Sequence, residues 1–146
     1  MKLKIKKLNE KAIVPQRATS GSAGLDLSAC IEEDIVLAPG EIKLIPTGLS
    51  AAPDNENCAL MIYPRSGLAS KHGIALANCV GVVDSDYRGE WNVPLINWGQ
   101  EPYTIHNGDR IAQVVFASYV VGDFELTESI DSTERGAGGF GHTGVK

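Results

Sequence analysis

Tyr103-Thr104-Ile105-His106-Asn107-Gly108-Asp109-Arg110-Ile111-Ala112-Gln113-Val114-Val115-Phe116 is the stretch from which the rest of the chain is read. Two β-prone runs, Tyr103–His106 and Arg110–Val121, flank Asn107-Gly108-Asp109. Those three residues signal a turn, because Asn and Gly tolerate the left-handed backbone that a tight reversal needs. The pattern repeats outward in both directions. Val80–Val83 and Trp91–Trp98 flank the polar turn Asp84–Glu90, Asp34–Leu37 and Glu41–Pro46 flank Pro39-Gly40, and both pairs read as hairpins. Lys2–Leu8 and Gly24–Cys30 alternate apolar and polar residues, and Cys58–Tyr63 is an apolar run stopped by Pro64. Turns at this spacing predict an all-β fold, a jelly-roll-like barrel or sandwich. The one helix predicted is short, Ser66–Lys71, with Ser66 as its N-cap.

The 146 residues suffice for one domain with a real core and are too few for two ordinary ones. Residues 1–134 read as the β domain. Residues 135–146 read as a glycine-rich arm, expected to be flexible because it has high chain entropy and little to bury. A frayed terminus is the plain alternative, but Arg135 opens the segment and Phe140 stands among its glycines, a composition suited to a flap. No apolar run approaches the ~20 residues of a membrane span. The Lys-rich start lacks the core of a signal peptide. These features point to a cytoplasmic protein without a membrane partner, with the nucleus or a virus-infected host cell as the alternative setting. A net charge of −5 argues against a nucleic-acid partner, which demands a basic surface, but leaves room for a small phosphorylated ligand in a local cationic pocket. Cys30, Cys58 and Cys79 form no CxxC pair, so they read as reduced, partly buried thiols, not as zinc ligands.

Four internal stretches carry the candidate chemistry. Asp26 interrupts an apolar strand in Ala23–Ala29. It is either the solvent face of an alternating strand or a carboxylate that holds metal-bound water. Arg65, Ser66 and Gly67 follow a strand and open a helix, where free amides, a hydroxyl and a guanidinium make an anion site. In Asn78–Trp91, Asp84 and Asp86 lie two apart. On an extended backbone they point to opposite faces and do different work; a carboxylate at the mouth of such a turn can orient a water and accept its proton, and an ordinary polar turn is the plain alternative. Gln113 is a lone amide in an apolar run, and a ligand or a neighbouring backbone must satisfy it. Asp109 and Arg110 read as a turn-associated salt bridge. No P-loop and no serine-hydrolase elbow occurs. The pieces indicate a ligand with phosphates and a flat ring.

Read together, five segments resemble the trimeric deoxyuridine triphosphate nucleotidohydrolases (dUTPases): AGLDLSA at 23–29, PRSGLA at 64–69, GVVDSDYRGEW at 81–91, GDRIAQVVF at 108–116 and RGAGGFGHTG at 135–144. The resemblance implies a jelly-roll homotrimer, with sites at subunit interfaces, that hydrolyses dUTP to dUMP and pyrophosphate with Mg2+. It implies that Asp84 activates the attacking water. Asn78 and the backbone of Val82 and Val83 would read uracil, and Tyr87 would pack on deoxyribose and exclude a 2′-hydroxyl. It further implies that Arg65, Ser66 and Gly67 of an adjacent subunit bind phosphate, as does Gln113. Arg135 and Phe140 would close over substrate, and Asp26 would meet magnesium through water. Asn92 aligns with a substrate-contacting position, where a main-chain contact is expected. Such an enzyme limits uracil incorporation into DNA and supplies dUMP for dTMP synthesis. Two rivals remain. A dCTP deaminase of related fold needs a cytosine-reading pocket and a base near C4. A non-catalytic nucleotide-sensing β-sandwich keeps Arg65, Ser66 and Gln113 but has no need of Asp84.

Overall fold

The computed structural model describes residues 2–54 and 56–139. Phe140 lies outside them. The strands are β1 (Leu3–Lys7), β2 (Leu25–Ser28), β3 (Ile35–Leu37), β4 (Ile42–Pro46), β5 (Leu49–Pro53), β6 (Cys58–Tyr63), β7 (Ile74–Leu76), β8 (Gly81–Val83), β9 (Asn92–Asn97), β10 (Tyr103–Ile105) and β11 (Arg110–Ser118). The helix α1 (Ser66–His72) sits between β6 and β7. Strands pair antiparallel in the orders β2-β11-β6-β8, β4-β9-β7, β1-β5 and β10-β3. The result is a jelly-roll sandwich, not a closed barrel.

The predicted turns are present, but the predicted hairpins are not. Gly108 takes φ 85° and the Asp109 amide donates to His106 O at 3.1 Å. Yet β10 pairs with β3, while β11 pairs with β2 and β6. Gly40 likewise turns at φ 76°, but β3 goes to β10 and β4 to β9. Across Asp84–Glu90 the chain leaves β8, paired with β6, and enters β9, between β4 and β7. Each turn carries the chain from one sheet to another. Alternation says which face of a strand is buried, but it does not name the strand alongside.

Two strands escaped the sequence reading. β5 is Leu-Ser-Ala-Ala-Pro, without a β-branched or aromatic residue, and β7 is three residues long directly after the helix. One strand was overextended: β11 ends at Ser118, and Val120 and Val121 are exposed. The helix was also capped differently. Arg65, extended at φ −94° and ψ 130°, is the N-cap without a side-chain cap bond, so Ser66 is the first helical residue. Gly73 closes the helix in the left-handed region at φ 70°.

The core draws on every sheet: Leu27, Ile62 and Val114; Ile45, Val93 and Leu95; Leu37 and Ile105; and Leu49, with Trp91 among them. Each such side chain contributes roughly 1.5–3 kcal/mol when fully buried. Among the described residues, no helix is long and apolar enough to cross a membrane. Cys30 and Cys58 are buried, and burial pushes the Cys30 thiol above its ordinary range. Cys79, expected to be partly covered, is exposed on a turn.

Candidate active site

Apart from Arg135 and Phe140, the predicted site residues line two cavities. The first, of about 320 Å³, is lined by Asn78, Val82, Val83, Asp84, Tyr87 and Asn92, together with Gly81, Trp91 and Leu44. A tight reversal opens it. Cys79 adopts φ 63°, and the Val80 amide donates to Asn78 O at 2.7 Å. The chain then enters β8, the edge strand of its sheet, which pairs with β6 on one side alone. An edge strand presents backbone donors and acceptors along its outer side. Gly81 packs closely on β6: a Cβ there would lie 3.2 Å from the Ile62 Cβ.

Asp84 is the first residue after β8, and its carbonyl accepts the Tyr87 amide at 3.2 Å. The backbone therefore turns over Ser85 and Asp86 instead of running extended. Asp84 lines this cavity without Asp86, and the two carboxylates meet at a further cavity on the other side of the turn, lined by Asp84, Ser85 and Asp86. Hydrogen bonds tie the loop to the segment entering β5, among them the Thr47 amide to Trp91 O at 3.2 Å. Thr47 Oγ1 donates to Trp91 O at 2.7 Å and the Trp91 amide to Leu49 O at 2.8 Å. The Gly48 amide donates to Glu90 Oε1 at 2.8 Å, and Ser50 Oγ to Arg88 O at 2.8 Å. Inside the loop, Arg88 Nη1 donates to Ser85 O at 2.7 Å, and the Tyr87 hydroxyl to Glu90 O at 3.1 Å. The Tyr87 phenol lies over Gly89, where any Cβ would collide with it. Asn92 Nδ2 donates to Glu90 O at 3.3 Å.

The second cavity, of about 350 Å³, is lined by Gly24, Asp26, Arg65, Ser66, Gly67, Arg110 and Gln113. Sheet register assembles it. Gln113 stands opposite Asp26 on one side and Tyr63 on the other, and β6 runs on through Pro64 to Arg65. Gln113 Nε2 donates to Pro64 O at 3.0 Å, so a neighbouring backbone satisfies its amide nitrogen. Gly24 leaves room for it, since a Cβ there would displace the Gln113 side-chain amide. Asp26 accepts from Arg65 Nε at 2.9 Å and from Arg110 Nη1 at 3.0 Å. Arg110 thus pairs with Asp26 and not with Asp109, whose carboxylate accepts the His106 amide at 2.8 Å. Ser66 and Gly67 occupy the first helical turn, whose amides have no intrahelical acceptor.

The two cavities have no lining residue in common. Arg135 lines neither. It is exposed, and its Nε donates to Gly138 O at 2.8 Å. Among the described residues no three His, Cys, Asp or Glu side chains gather to hold a metal. Asp26 has both oxygens engaged by arginine, yet a carboxylate offers about four lone-pair sites, which leaves room for water. That donor set suits a hydrated magnesium carried by phosphate oxygens, which needs one or two carboxylates at most.

The family model for dUTPase matches residues 10–144. The chain belongs to the dUTPase family. It is 52% identical to the deoxyuridine 5′-triphosphate nucleotidohydrolase of Sodalis glossinidius, over 99% of this chain and 95% of that one. It is 56% identical to the Ectopseudomonas mendocina protein of the same name, over 94% and 91%. The fold is similar to that of the Staphylococcus bacteriophage 80alpha dUTPase solved with dUPNHPP, with a TM-score of 0.89, 26% identity and 99% of each chain covered.

Within this dUTPase fold, the sequence reading missed Thr47, Ser50 and Glu90, which hold the Asp84 loop in place. Glu90 sits inside the third motif and was there to be noticed. Thr47 and Ser50 flank the start of the strand that composition hides. Arg110 was seen but assigned to the wrong partner.

Proposed function

We propose that this chain hydrolyses dUTP to dUMP and pyrophosphate, and that Asp84 acts as the general base. The observation that carries the reading is the placement of Asp84 directly after an edge strand, on the rim of the cavity that also holds Asn78 and Tyr87. Uracil presents an N3–H donor between two carbonyl acceptors. The outer backbone of β8 and the Asn78 amide supply matching groups, whereas cytosine, with an amino group at position 4, leaves some unpaired. A site built to bond specific groups discriminates by roughly 10⁴ or more. Tyr87, held over Gly89, packs on the sugar and leaves no space for a 2′-hydroxyl. Asp84 then takes a proton from water as its oxygen bonds to the α-phosphorus. The bond to the bridging oxygen breaks, and pyrophosphate leaves.

Arg65, Ser66, Gly67 and Gln113 bind the phosphates. Asp26 would hold a hydrated magnesium ion through water, and that ion would supply positive charge to the triphosphate oxygens. Because base and phosphate cavities are separate within one chain, a complete site needs the phosphate cavity of a second copy. Exposed Val120, Val121, Phe124, Leu126 and Ile130 after β11 support a homotrimer, since a run of apolar side chains of this size is ordinarily buried against a partner. Arg135 and Phe140 close the assembled site.

The test is pyrophosphate release with magnesium from dUTP, UTP, dTTP and dCTP, with ammonia measured in parallel. The expected result is pyrophosphate from dUTP alone. Ammonia from dCTP would establish the deaminase instead, and binding without turnover of any nucleotide would establish a sensor.

A further inference from the structure

The phosphate cavity contains a cation to which the motif reading gave no part in binding. Arg110 opens β11, and regular alternation would put it on the face of Ala112, opposite Gln113. The register against β2 shifts between Arg110 and Ala112. Ile111 and Ala112 both turn inward, at 2% and 0% exposure, as consecutive residues of a bulge do. The extra residue brings Arg110 out on the face of Gln113 and Asp26. There Arg110 Nη1 and Arg65 Nε each take one oxygen of Asp26. Arg65 Nη1 also donates to the carbonyl of Arg110 at 3.3 Å, so the two arginines are fixed to each other as well. Two guanidiniums on one carboxylate leave a net positive charge on the cavity wall. Each guanidinium carries five N–H donors, so both keep donors free of Asp26. The Arg110 side chain is 57% exposed and presents its donors to the cavity.

We infer that Arg110 is a phosphate-binding residue of this site, and that Asp26 is a positioning residue that holds Arg65 and Arg110 side by side for the β- and γ-phosphates. The inference rests on the dUTP reading above. A carboxylate between two guanidiniums cancels their mutual repulsion and fixes both planes before substrate arrives, so less order is lost on binding. The bulge serves the same end, re-aiming one side chain next to a site.

The experiment uses the full chain and its Arg110→Gln and Asp26→Asn variants. Affinities for dUPNHPP and for dUMP are measured with magnesium and again in EDTA, beside steady-state turnover of dUTP. Arg110→Gln should weaken dUPNHPP and raise KM about ten-fold, the weight of one charge-assisted hydrogen bond. Its dUMP affinity should stay within about two-fold, because dUMP lacks the outer phosphates. Asp26→Asn should weaken dUPNHPP at least as much, and the loss should persist in EDTA. Equal weakening of dUMP in Arg110→Gln would mean a merely structural role and overturn the proposal. A loss in Asp26→Asn that vanishes without magnesium would overturn the positioning role. An active wild type whose Arg110→Gln variant binds dUPNHPP normally sinks this inference alone, whereas a wild type inert toward dUTP sinks the parent reading with it.

Discussion

The cavity around Asp84, proposed for the base, and the cavity around Asp26, proposed for the phosphates, are built by opposite means. The phosphate cavity is made by regular pairing: β2, β11 and β6 lie side by side, and register alone lines up Asp26, Gln113 and the start of α1. The base cavity is made by a loop that leaves one sheet at Val83 and enters another at Asn92. No ladder holds that loop. Side-chain and backbone bonds from Thr47, Gly48, Leu49 and Ser50 do so. The two arginines on Asp26 therefore sit beside paired strands, and the residues proposed to read the base and activate water sit on or beside the tethered loop. Chemistry that requires a carboxylate at one point is placed where a few hydrogen bonds set the geometry, while electrostatic grip comes from the sheet.

The sharpest probe of this contrast is Asp84→Asn. It should lower kcat by roughly 10²–10⁴-fold, the usual worth of a general base, with KM little changed. Full activity in that variant would remove the base from the tethered loop altogether. Next is Gly24→Ala, which forces Gln113 off Pro64 O on the sheet side. KM for dUTP should rise about ten-fold with kcat nearly intact, and stability should fall by about 1 kcal/mol for the lost bond. A kcat defect as large as the KM defect would show that the two regions are not separable.

On the loop side, Gly89→Ala displaces the Tyr87 ring. The preference for dUTP over UTP should drop by several-fold, with a smaller effect on kcat. Unchanged discrimination would take the sugar gate away from Tyr87. The smallest effect concerns the turn that feeds Arg110 into the clamp. His106 Nδ1 lies 2.8 Å from Asp34 Oδ2, and that bond and charge raise the imidazole pKa above its ordinary 6.5. The stabilisation is complete below about pH 6.5 and is lost as pH rises through the higher folded value. Thermal melts from pH 6 upward should show a slight loss in the wild type that is absent in Asp34→Asn. Because the pair is exposed, the difference should be close to the limit of detection.

Much of this was legible before folding. Asp26, Arg65, Ser66, Gly67, Gln113 and Asp84 stand out from the residues around them, as an acid or amide in an apolar run or an anion-binding group at a strand end, whereas Asn78 and Tyr87 are named by the resemblance alone. What failed was pairing. Pro39-Gly40 and Asn107-Gly108-Asp109 are sound turn signals, yet each joins strands of different sheets. Leu49–Pro53 is a strand because Leu49 and Ala51 are buried by neighbours, not because its residues prefer extended backbone. Missing that strand also hid the tethers of the Asp84 loop.

Local composition and spacing carry most of the strands, the turns, the candidate site residues and the family resemblance. Folding alone sets which strands lie together, that Asp84 follows an edge strand on a loop tied to the segment entering β5, and that a bulge in β11 turns Arg110 toward Asp26. Those features depend on register between segments far apart in the chain. A one-residue slip inverts every facing side chain and leaves no trace in either segment read alone.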